Sequence, residues 1–212
     1  MQNFGFIESK LDGNEIIFDK KLLQGTKPIP DEYDYTKMVS CLKKPKDQGS
    51  TSKCVPYSLS YAIEAAESMK DKKLNFRLDI DRIYNARSNR TDGMQIKEAL
   101  SFLKKEGYPL PNGKQHHIKV YGQLKSILAM KRSLYSNGPF VMALPVYDNA
   151  EREEFWKGEK KQGGHAICCV GYNEDGLILE NTWGSGYGKN GKIIFPFDDV
   201  NKIIEAWAFL GE

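Results

Sequence analysis

The chain has 212 residues, of which 40% are hydrophobic and 28% are charged, the ordinary composition of a soluble globular protein. Its net charge is only +3 and its basic residues are spread along the chain, which argues against nucleic acid binding. No apolar run approaches the roughly 18 to 20 residues of a membrane-spanning helix, so we expect no membrane association. This length favours one structural unit or two closely packed lobes.

The cysteines indicate a reducing environment. Of the four, Cys168 and Cys169 are neighbours that cannot easily bridge each other, so a disulfide framework is not expected. We interpret this pair as core packing on a strand. The first residues show no basic stretch followed by an apolar run and a small-residue cleavage site, and therefore no secretory signal. These features favour a cytoplasmic location, with a bacterial or viral origin as a working guess.

The first half of the chain is predicted to be helical. Apolar residues recur at helical spacing over 54–70, Ser52 is a predicted N-cap, and Pro56 suits the first turn of such a helix. This pattern puts Cys54 at the N-terminal tip of a helix whose far side is buried.

Three more helices are predicted in this half. Asp79 is expected to cap the second, and the third covers 94–105, where Gly107 ends it. The fourth is predicted over 123–135.

The second half, from about residue 137, has the shorter period and the residue types of β-strands. The segment 173–176 is a predicted hairpin turn, because Asn, Asp and Gly tolerate the required backbone angles. The predicted strands are 140–146, 165–172, 177–179, 192–195 and 206–210.

A cysteine and a histidine form the predicted chemical centre. Cysteine attacks as the thiolate, which the N-terminus of a helix stabilises at Cys54. An imidazolium would stabilise it further. His116 and His117 lie in a polar stretch predicted to be an exposed connection, whereas His165 opens an apolar strand whose end can face a cleft. We therefore pair Cys54 with His165.

Two amides and a tryptophan complete this centre. Asn181 follows a predicted strand and can accept the ring N–H of His165, a bond that Trp183 could shield from water. Gln48 could join the backbone N–H of Cys54 in an oxyanion hole, where one donor contributes roughly 3 to 4 kcal/mol in other acyl-transfer enzymes.

Three stretches carry a family resemblance in order, spacing and neighbours. They are Asp47-Gln48-Gly49-Ser50 followed by Cys54, His165-Ala166-Ile167 through Val170-Gly171-Tyr172, and Asn181-Thr182-Trp183-Gly184-Ser185-Gly186-Tyr187-Gly188-Lys189-Asn190-Gly191. They resemble the papain family of cysteine peptidases. The resemblance spans about residue 28 to the C-terminus and implies an α+β, two-lobed fold, with a helical left lobe, an antiparallel β-barrel-like right lobe and an active-site cleft between them.

The resemblance also implies roles for individual residues. By it, the nucleophile, general acid/base, imidazole orienter and oxyanion donor are Cys54, His165, Asn181 and Gln48. The substrate-binding residues it implies are Gly93, Ala143, Gly164 and Trp183. Gly93 would hydrogen-bond the substrate backbone, while Ala143 and Gly164 would line an apolar pocket for the side chain two residues before the scissile bond.

The expected domain organisation has two parts. Residues 1–25 form an N-terminal extension, which could be a short prosegment, an extra strand or a partner-binding arm. Residues 26–212 form the peptidase domain, with a helical lobe over about 38–118 and a β lobe over about 119–212 plus 26–37.

The expected function is hydrolysis of peptide bonds through a thioester acyl-enzyme at Cys54, with no cofactor and no metal. The expected partner is a peptide or protein substrate, a proteinaceous inhibitor is a further candidate, and a monomer is the default. Two alternatives stay open: a catalytically silent papain-like protein that binds peptides, and a papain-like acyl or amide transferase.

Overall fold

The computed structural model describes residues 4–19, 28–72, 76–89 and 91–212. Its helices are α1 Cys54–Lys70, α2 Ile80–Asn85, α3 Ile96–Glu106 and α4 Ile127–Asn137. Its strands are β1 Tyr33–Asp34, β2 Tyr108–Pro109, β3 Gln115–His116, β4 Ile118–Gln123, β5 Phe140–Tyr147, β6 Lys161–Tyr172, β7 Gly176–Glu180, β8 Lys192–Pro196 and β9 Glu205–Gly211. Short 3₁₀ helices cover Tyr35–Lys37, Ser40–Lys43 and Phe197–Lys202.

Seven strands form one antiparallel sheet in the order β4-β9-β5-β6-β7-β8, and β1 pairs with the end of β6. The two outer strands, β4 and β8, do not pair with each other within the described residues, so the sheet is open rather than a closed barrel. Strands β2 and β3 form a separate hairpin. The mixed α+β class predicted from the sequence is confirmed.

Each face of the sheet covers a hydrophobic core, because successive side chains of a strand point to opposite faces. On β5, Val141 and Ala143 face the core that contains α1 and α3, whereas Phe140 and Met142 face the core that contains α4. The neighbouring thiols divide in the same way. Cys168 lies in the α1 core and Cys169 in the α4 core, and both are fully buried, as predicted.

Several local predictions are confirmed by the hydrogen bonds that end the elements. The Asp79 carboxylate accepts the Arg82 N–H at the start of α2. Gly107 ends α3 with a positive φ of 62°, a conformation that glycine adopts without strain. The turn at 173–176 joins β6 to β7, and the Asn173 side chain accepts two of its backbone N–H groups.

Other boundaries were wrong. The N-cap of α1 is Lys53, which makes no side-chain capping bond, and not Ser52. Helix α4 starts at Ile127 rather than at 123, because Ser126 caps it through the Ala129 N–H while Gln123 still pairs in β4. Strand β6 begins at Lys161, which puts His165 inside the strand and not at its tip.

The N-terminal segment of residues 4–19, called the arm below, runs along the surface of this body. Its backbone forms isolated bridges with Met94 and with Gln123, so it contacts both the start of α3 and the end of β4. Of the helices described, none has the length and apolar character needed to cross a lipid bilayer.

Candidate active site

Cys54 is the first residue of α1, and its side chain is fully buried. One turn further along the helix, the Ser58 hydroxyl donates to the Ala166 carbonyl oxygen at 2.9 Å. This bond fixes the start of α1 against β6 at the residue that follows His165. The sulfur also contacts the backbone of Ala166. The helix start and the strand therefore bring Cys54 and His165 to the same place.

His165 is oriented by Asn181. The ring Nε2 lies 2.8 Å from the Asn181 Oδ1, and that oxygen also accepts the Thr182 N–H at 2.7 Å. Both side chains are fully buried. The other ring nitrogen, Nδ1, is buried and has no hydrogen-bond partner among the described residues. This arrangement leaves Nδ1 as the nitrogen that can exchange a proton with the sulfur.

Aromatic rings enclose the bond between His165 and Asn181. The Trp183 ring lies with its centroid 4.4 Å from that of His165 and is tilted by 32°, while Phe155 meets the imidazole edge to face at 5.7 Å. Phe155 and Trp183 also contact each other, at 5.1 Å. These rings exclude water from the imidazole–amide bond, which strengthens it.

Gln48 is held near the start of α1 from two directions. Its Oε1 accepts the Thr182 hydroxyl at 2.5 Å, and its Nε2 donates to the Thr51 carbonyl oxygen at 2.7 Å. The Gln48 backbone N–H also donates to the Thr182 carbonyl at 2.8 Å. These bonds tie the loop before Cys54 to the loop that follows Asn181, so the amide cannot swing away from the cleft.

Burial keeps the cysteine and histidine uncharged. Desolvation raises the pKa of the Cys54 thiol to about 11, despite opposing hydrogen bonds with the backbone of Ala166 and Gly5. Desolvation also lowers the pKa of His165 to about 4, despite the opposing bond to Asn181. In this covered form burial therefore favours the thiol and the neutral imidazole over their charged forms.

The desolvation comes in part from the arm, which lies across the cleft. A Cβ on Gly5 would lie 1.9 Å from the Ser52 carbonyl oxygen, so only glycine fits there. The Phe6 N–H donates to the Gly164 carbonyl at 3.3 Å, and a Cβ on Gly164 would lie 2.5 Å from the Phe6 ring. Phe4 lies against Trp183, with ring centroids 6.4 Å apart.

The arm also pairs with the opposite wall of the cleft. The Met94 N–H donates to the Gly5 carbonyl at 2.8 Å, and the Ile7 N–H donates to the Met94 carbonyl at 3.1 Å. This is a parallel bridge. Gly93, with φ 96°, lies beneath this contact and donates its own N–H to the Tyr84 hydroxyl at 3.0 Å.

Beyond the cleft, polar contacts fix the rest of the arm. Ser9 bonds to the Glu205 carboxylate through both its N–H and its hydroxyl. The Lys97 ammonium reaches the Asp12 and Glu15 carboxylates at 3.3 and 2.6 Å. The hydrogen bond from Lys97 is the main reason that the pKa of Glu15 falls to about 2.

On the other side of Trp183, the cleft continues into an open cavity of about 620 Å³. Phe4 lies at its edge, and Asp148 and Glu151 contribute carboxylates to its wall. This part of the cleft stays accessible while the arm covers the rest.

The family of this chain follows from its match to a family model. The model described as papain family cysteine protease matches residues 35–202. The chain belongs to the papain family. This chain is thus a papain-like cysteine peptidase, and the cleft described above lies within the matched region apart from the arm.

Its relatives agree with this assignment. The chain is 27% identical to an uncharacterised peptidase C1-like protein of Acanthamoeba polyphaga mimivirus, over 97% of this chain and 86% of that protein. It is 24% identical to papain of Carica papaya, over 89% of this chain but only 61% of papain. Among solved structures it is similar to xylellain, a cysteine protease from Xylella fastidiosa, with TM-score 0.80, 20% identity and coverage of 99% and 96%. The predicted papain-like fold is confirmed.

The structure brings Cys54, His165, Asn181, Gln48 and Trp183 into one cleft, as the sequence predicted, while their chemical roles stay predictions. His116 and His117 lie elsewhere. The first contacts Glu67 and the second the Lys104 carbonyl.

Of the predicted substrate-binding residues, Gly93 and Gly164 contact the arm, and Ala143 is buried in the α1 core next to Ala166. Two contacts were missed. Met94, rather than Gly93, pairs with the arm backbone, and Glu205 binds Ser9. A signal for Glu205 was available, since it is a lone charge in the apolar run 203–210.

Proposed function

We propose that this papain-like peptidase hydrolyses peptide bonds through a thioester at Cys54, with His165 as general acid/base. The observation that carries the proposal is the 2.8 Å bond from His165 Nε2 to Asn181, which leaves the buried Nδ1 as the ring nitrogen that can exchange a proton with the sulfur. A nucleophile, a base and a group that orients the base are the parts that thiol acyl transfer requires.

The reaction uses these groups in two stages. The Cys54 thiol gives its proton to His165 and attacks the substrate carbonyl carbon, while Gln48 and the Cys54 N–H donate to the developing oxyanion. The C–N bond breaks as His165 protonates the leaving amine. Water then gives a proton to His165 and its oxygen attacks the thioester carbonyl carbon. The C–S bond breaks, the released acid keeps the hydroxyl of the water, and His165 returns its proton to the sulfur.

The arm makes the described form latent. A substrate carbonyl must reach the sulfur beneath Gly5, and the Ser52 and Met94 contacts fill that space. Removal of the arm admits water, which favours the charged forms of both Cys54 and His165. Arm release therefore opens the cleft and restores a reactive thiolate.

The test is labelling of Cys54 with iodoacetamide at pH 5.5, located by mass spectrometry, together with cleavage of a peptide library. We expect Cys54 to label selectively in the wild-type chain, through the fraction of molecules whose arm is released, with the rate falling in His165→Ala. Equal slow labelling of all cysteines that His165→Ala leaves unchanged, without peptide cleavage, would contradict the proposal and favour a silent peptide-binding protein. Formation of amide products with an added amine, and no hydrolysis, would favour the transferase.

A further inference from the structure

Glu180 is a buried carboxyl group to which the reaction above gives no role. It is the last residue of β7 and is 0% exposed. In the sheet it stands opposite Cys168 on β6 and opposite Lys192 on β8. Residues directly opposite each other in antiparallel strands point to the same face, and Cys168 lies in the α1 core. Glu180 therefore points into the α1 core, although the residue that follows it, Asn181, binds His165.

The surroundings of this carboxyl group satisfy it poorly. Neither Glu180 oxygen accepts a hydrogen bond within the described part of the chain. The Lys192 ammonium lies 3.6 Å from Oε2, which is too long for a hydrogen bond. The Lys46 ammonium bonds to a different carboxylate, that of Glu64, at 2.8 Å. The described ionisable groups that act on Glu180 from the surrounding elements are Lys192 on β8, Cys168 on β6, Tyr61 on α1, Asp34 on β1 and Lys46 in the loop before α1.

These surroundings favour the neutral acid over the carboxylate. Burial raises the pKa of Glu180 to about 8, although attraction to Lys192 and Lys46 opposes the shift. Repulsion from the Asp34 carboxylate adds to it. A buried carboxylate without hydrogen bonds costs free energy that a neutral acid does not. The described arrangement therefore suits a protonated Glu180.

The backbone beside Glu180 holds the amide that orients His165. The Asn181 N–H donates to the Gly191 carbonyl at 2.8 Å, and the Asn181 carbonyl accepts the Tyr61 hydroxyl at 3.3 Å. Gly191 directly precedes Lys192, just as Asn181 directly follows Glu180. An ionised Glu180 has to gain a hydrogen bond, by movement of Lys192 toward it or by entry of water. Either change acts on the two residues whose neighbours form the bond from Asn181 to Gly191.

We propose that Glu180 is a positioning residue for Asn181: the neutral acid keeps the adjoining ends of β7 and β8 in place, and its ionisation displaces Asn181 from His165. The proposal rests on the proposed peptidase function. Without the Asn181 oxygen, the imidazole is no longer held with Nδ1 free for the sulfur, so proton transfer slows. The groups named around Glu180 lie outside the arm, so arm release leaves these surroundings in place.

The test compares kcat/KM for one fluorogenic peptide at pH 9 and at pH 7, in the full chain. Circular dichroism at each pH distinguishes loss of activity from unfolding. The measured quantity is the ratio of the two kcat/KM values, compared between variants. Effects of pH on the arm and on the pair of Cys54 and His165 are shared by the variants, so the comparison removes them.

Glu180→Gln keeps the size of the neutral acid but cannot ionise, so its ratio of activity at pH 9 to activity at pH 7 should exceed the wild-type ratio by about five- to tenfold. The matched control is Glu174→Gln, which removes an exposed carboxylate in the turn before β7 and should leave the ratio within about twofold of wild type.

A second readout follows the proton itself. The infrared spectrum of the wild-type chain minus that of Glu180→Gln should contain the C=O band of a protonated carboxyl group at pH 7. This band should give way to carboxylate absorption at pH 9. A difference spectrum that shows only carboxylate at both pH values would overturn the inference.

The wild-type chain alone also decides, so a Glu180→Gln chain that fails to fold does not weaken the test. We expect the alkaline fall of its kcat/KM to involve two protons, one from the pair of Cys54 and His165 and one from Glu180. A fall that involves one proton would overturn the inference, as would equal ratios in wild type and Glu180→Gln. In both cases continued cleavage would leave the proposed function standing. If no peptide is cleaved and Cys54 does not label selectively, the proposed function fails and this inference fails with it.

Discussion

The cleft and the arm that covers it are held in different ways. His165 is fixed by a buried bond to Asn181 and by the rings of Trp183 and Phe155, all parts of the folded domain. The part of the arm that covers the cleft, from Gly5 to Ser9, is held by single backbone bonds and by the contact of Ser9 with Glu205, each of a kind that a peptide can also form. The catalytic candidates are therefore held in place by the folded domain, whereas the arm over them can be replaced by a peptide.

The largest expected effect comes from removing the nucleophile from the preorganised cleft. Cys54→Ser should lower kcat/KM for peptide cleavage by at least about 10⁴-fold, because the hydroxyl is a far weaker nucleophile in this site. Circular dichroism and urea unfolding should show the fold intact. Cys168→Ala, which removes a buried thiol away from the chemistry, should keep most of the activity. Activity that survives Cys54→Ser would place the reaction elsewhere.

The stability of the folded chain should depend on pH, because the covered site favours neutral His165. As the pH falls below 6.5, the unfolded chain protonates this histidine, but the folded chain does so only near pH 4. The unfolded state then binds more protons, so this contribution to stability is lost as the pH falls through that range, by about 3 kcal/mol in total.

We expect urea unfolding in a Cys54→Ser background to show this loss, and to show it reduced when His165→Asn is added. His117→Asn is the control, because His117 contacts the Lys104 carbonyl and not the cleft. Identical pH profiles for the two histidine variants would mean that His165 is accessible to water in the folded chain.

The arm can be loosened at its tightest contact. Gly5→Leu places a side chain where even a Cβ would overlap the Ser52 carbonyl, so it should raise the initial rate of peptide cleavage by about tenfold. Leu11→Ala, which changes an exposed side chain of the same arm, should have little effect. An unchanged rate with Gly5→Leu would show that the arm does not limit access of substrate.

The smallest expected effect concerns the ion pairs of Lys97. Lys97→Ala removes the contacts with Asp12 and Glu15 and should raise the cleavage rate about two- to threefold at low salt. The difference from wild type should shrink in 0.5 M NaCl, because salt screens such pairs. Lys119→Ala, a change at an exposed lysine on β4, serves as the charge-matched control. A larger gap at high salt would contradict the electrostatic role.

Part of the cleft was predictable because Cys54 and Asn181 lie at ends of regular elements, whereas His165 lies inside β6. The helical spacing after Cys54 and the early Pro56 located the start of α1, and the strand before Asn181 located the amide. The exact cap was not predictable. Ser52 has the side chain of a good N-cap, but the helix begins one residue too late to use it.

The arm could not be predicted in the same way, because its partners lie far along the chain. Gly5 contacts Ser52 and Met94, and Ser9 contacts Glu205, contacts that no local periodicity encodes. The orientation of the Gln48 amide was not predictable from the sequence either, because its hydrogen bonds with Thr182 and Thr51 determine it. Residues 1–3 and 20–25 of the predicted extension lie outside the described residues, and the predicted lobe boundaries stay a prediction.

The bond between Ser9 and Glu205 joins two segments of one polypeptide. A cover of this kind is an inhibitor at a fixed local concentration, so dilution alone cannot strip it from the enzyme. The fraction of open molecules should be the same at nanomolar and micromolar protein. A free peptide with the arm sequence, by contrast, would have to be supplied at a concentration similar to the local concentration of the tethered arm to cover the same fraction of molecules.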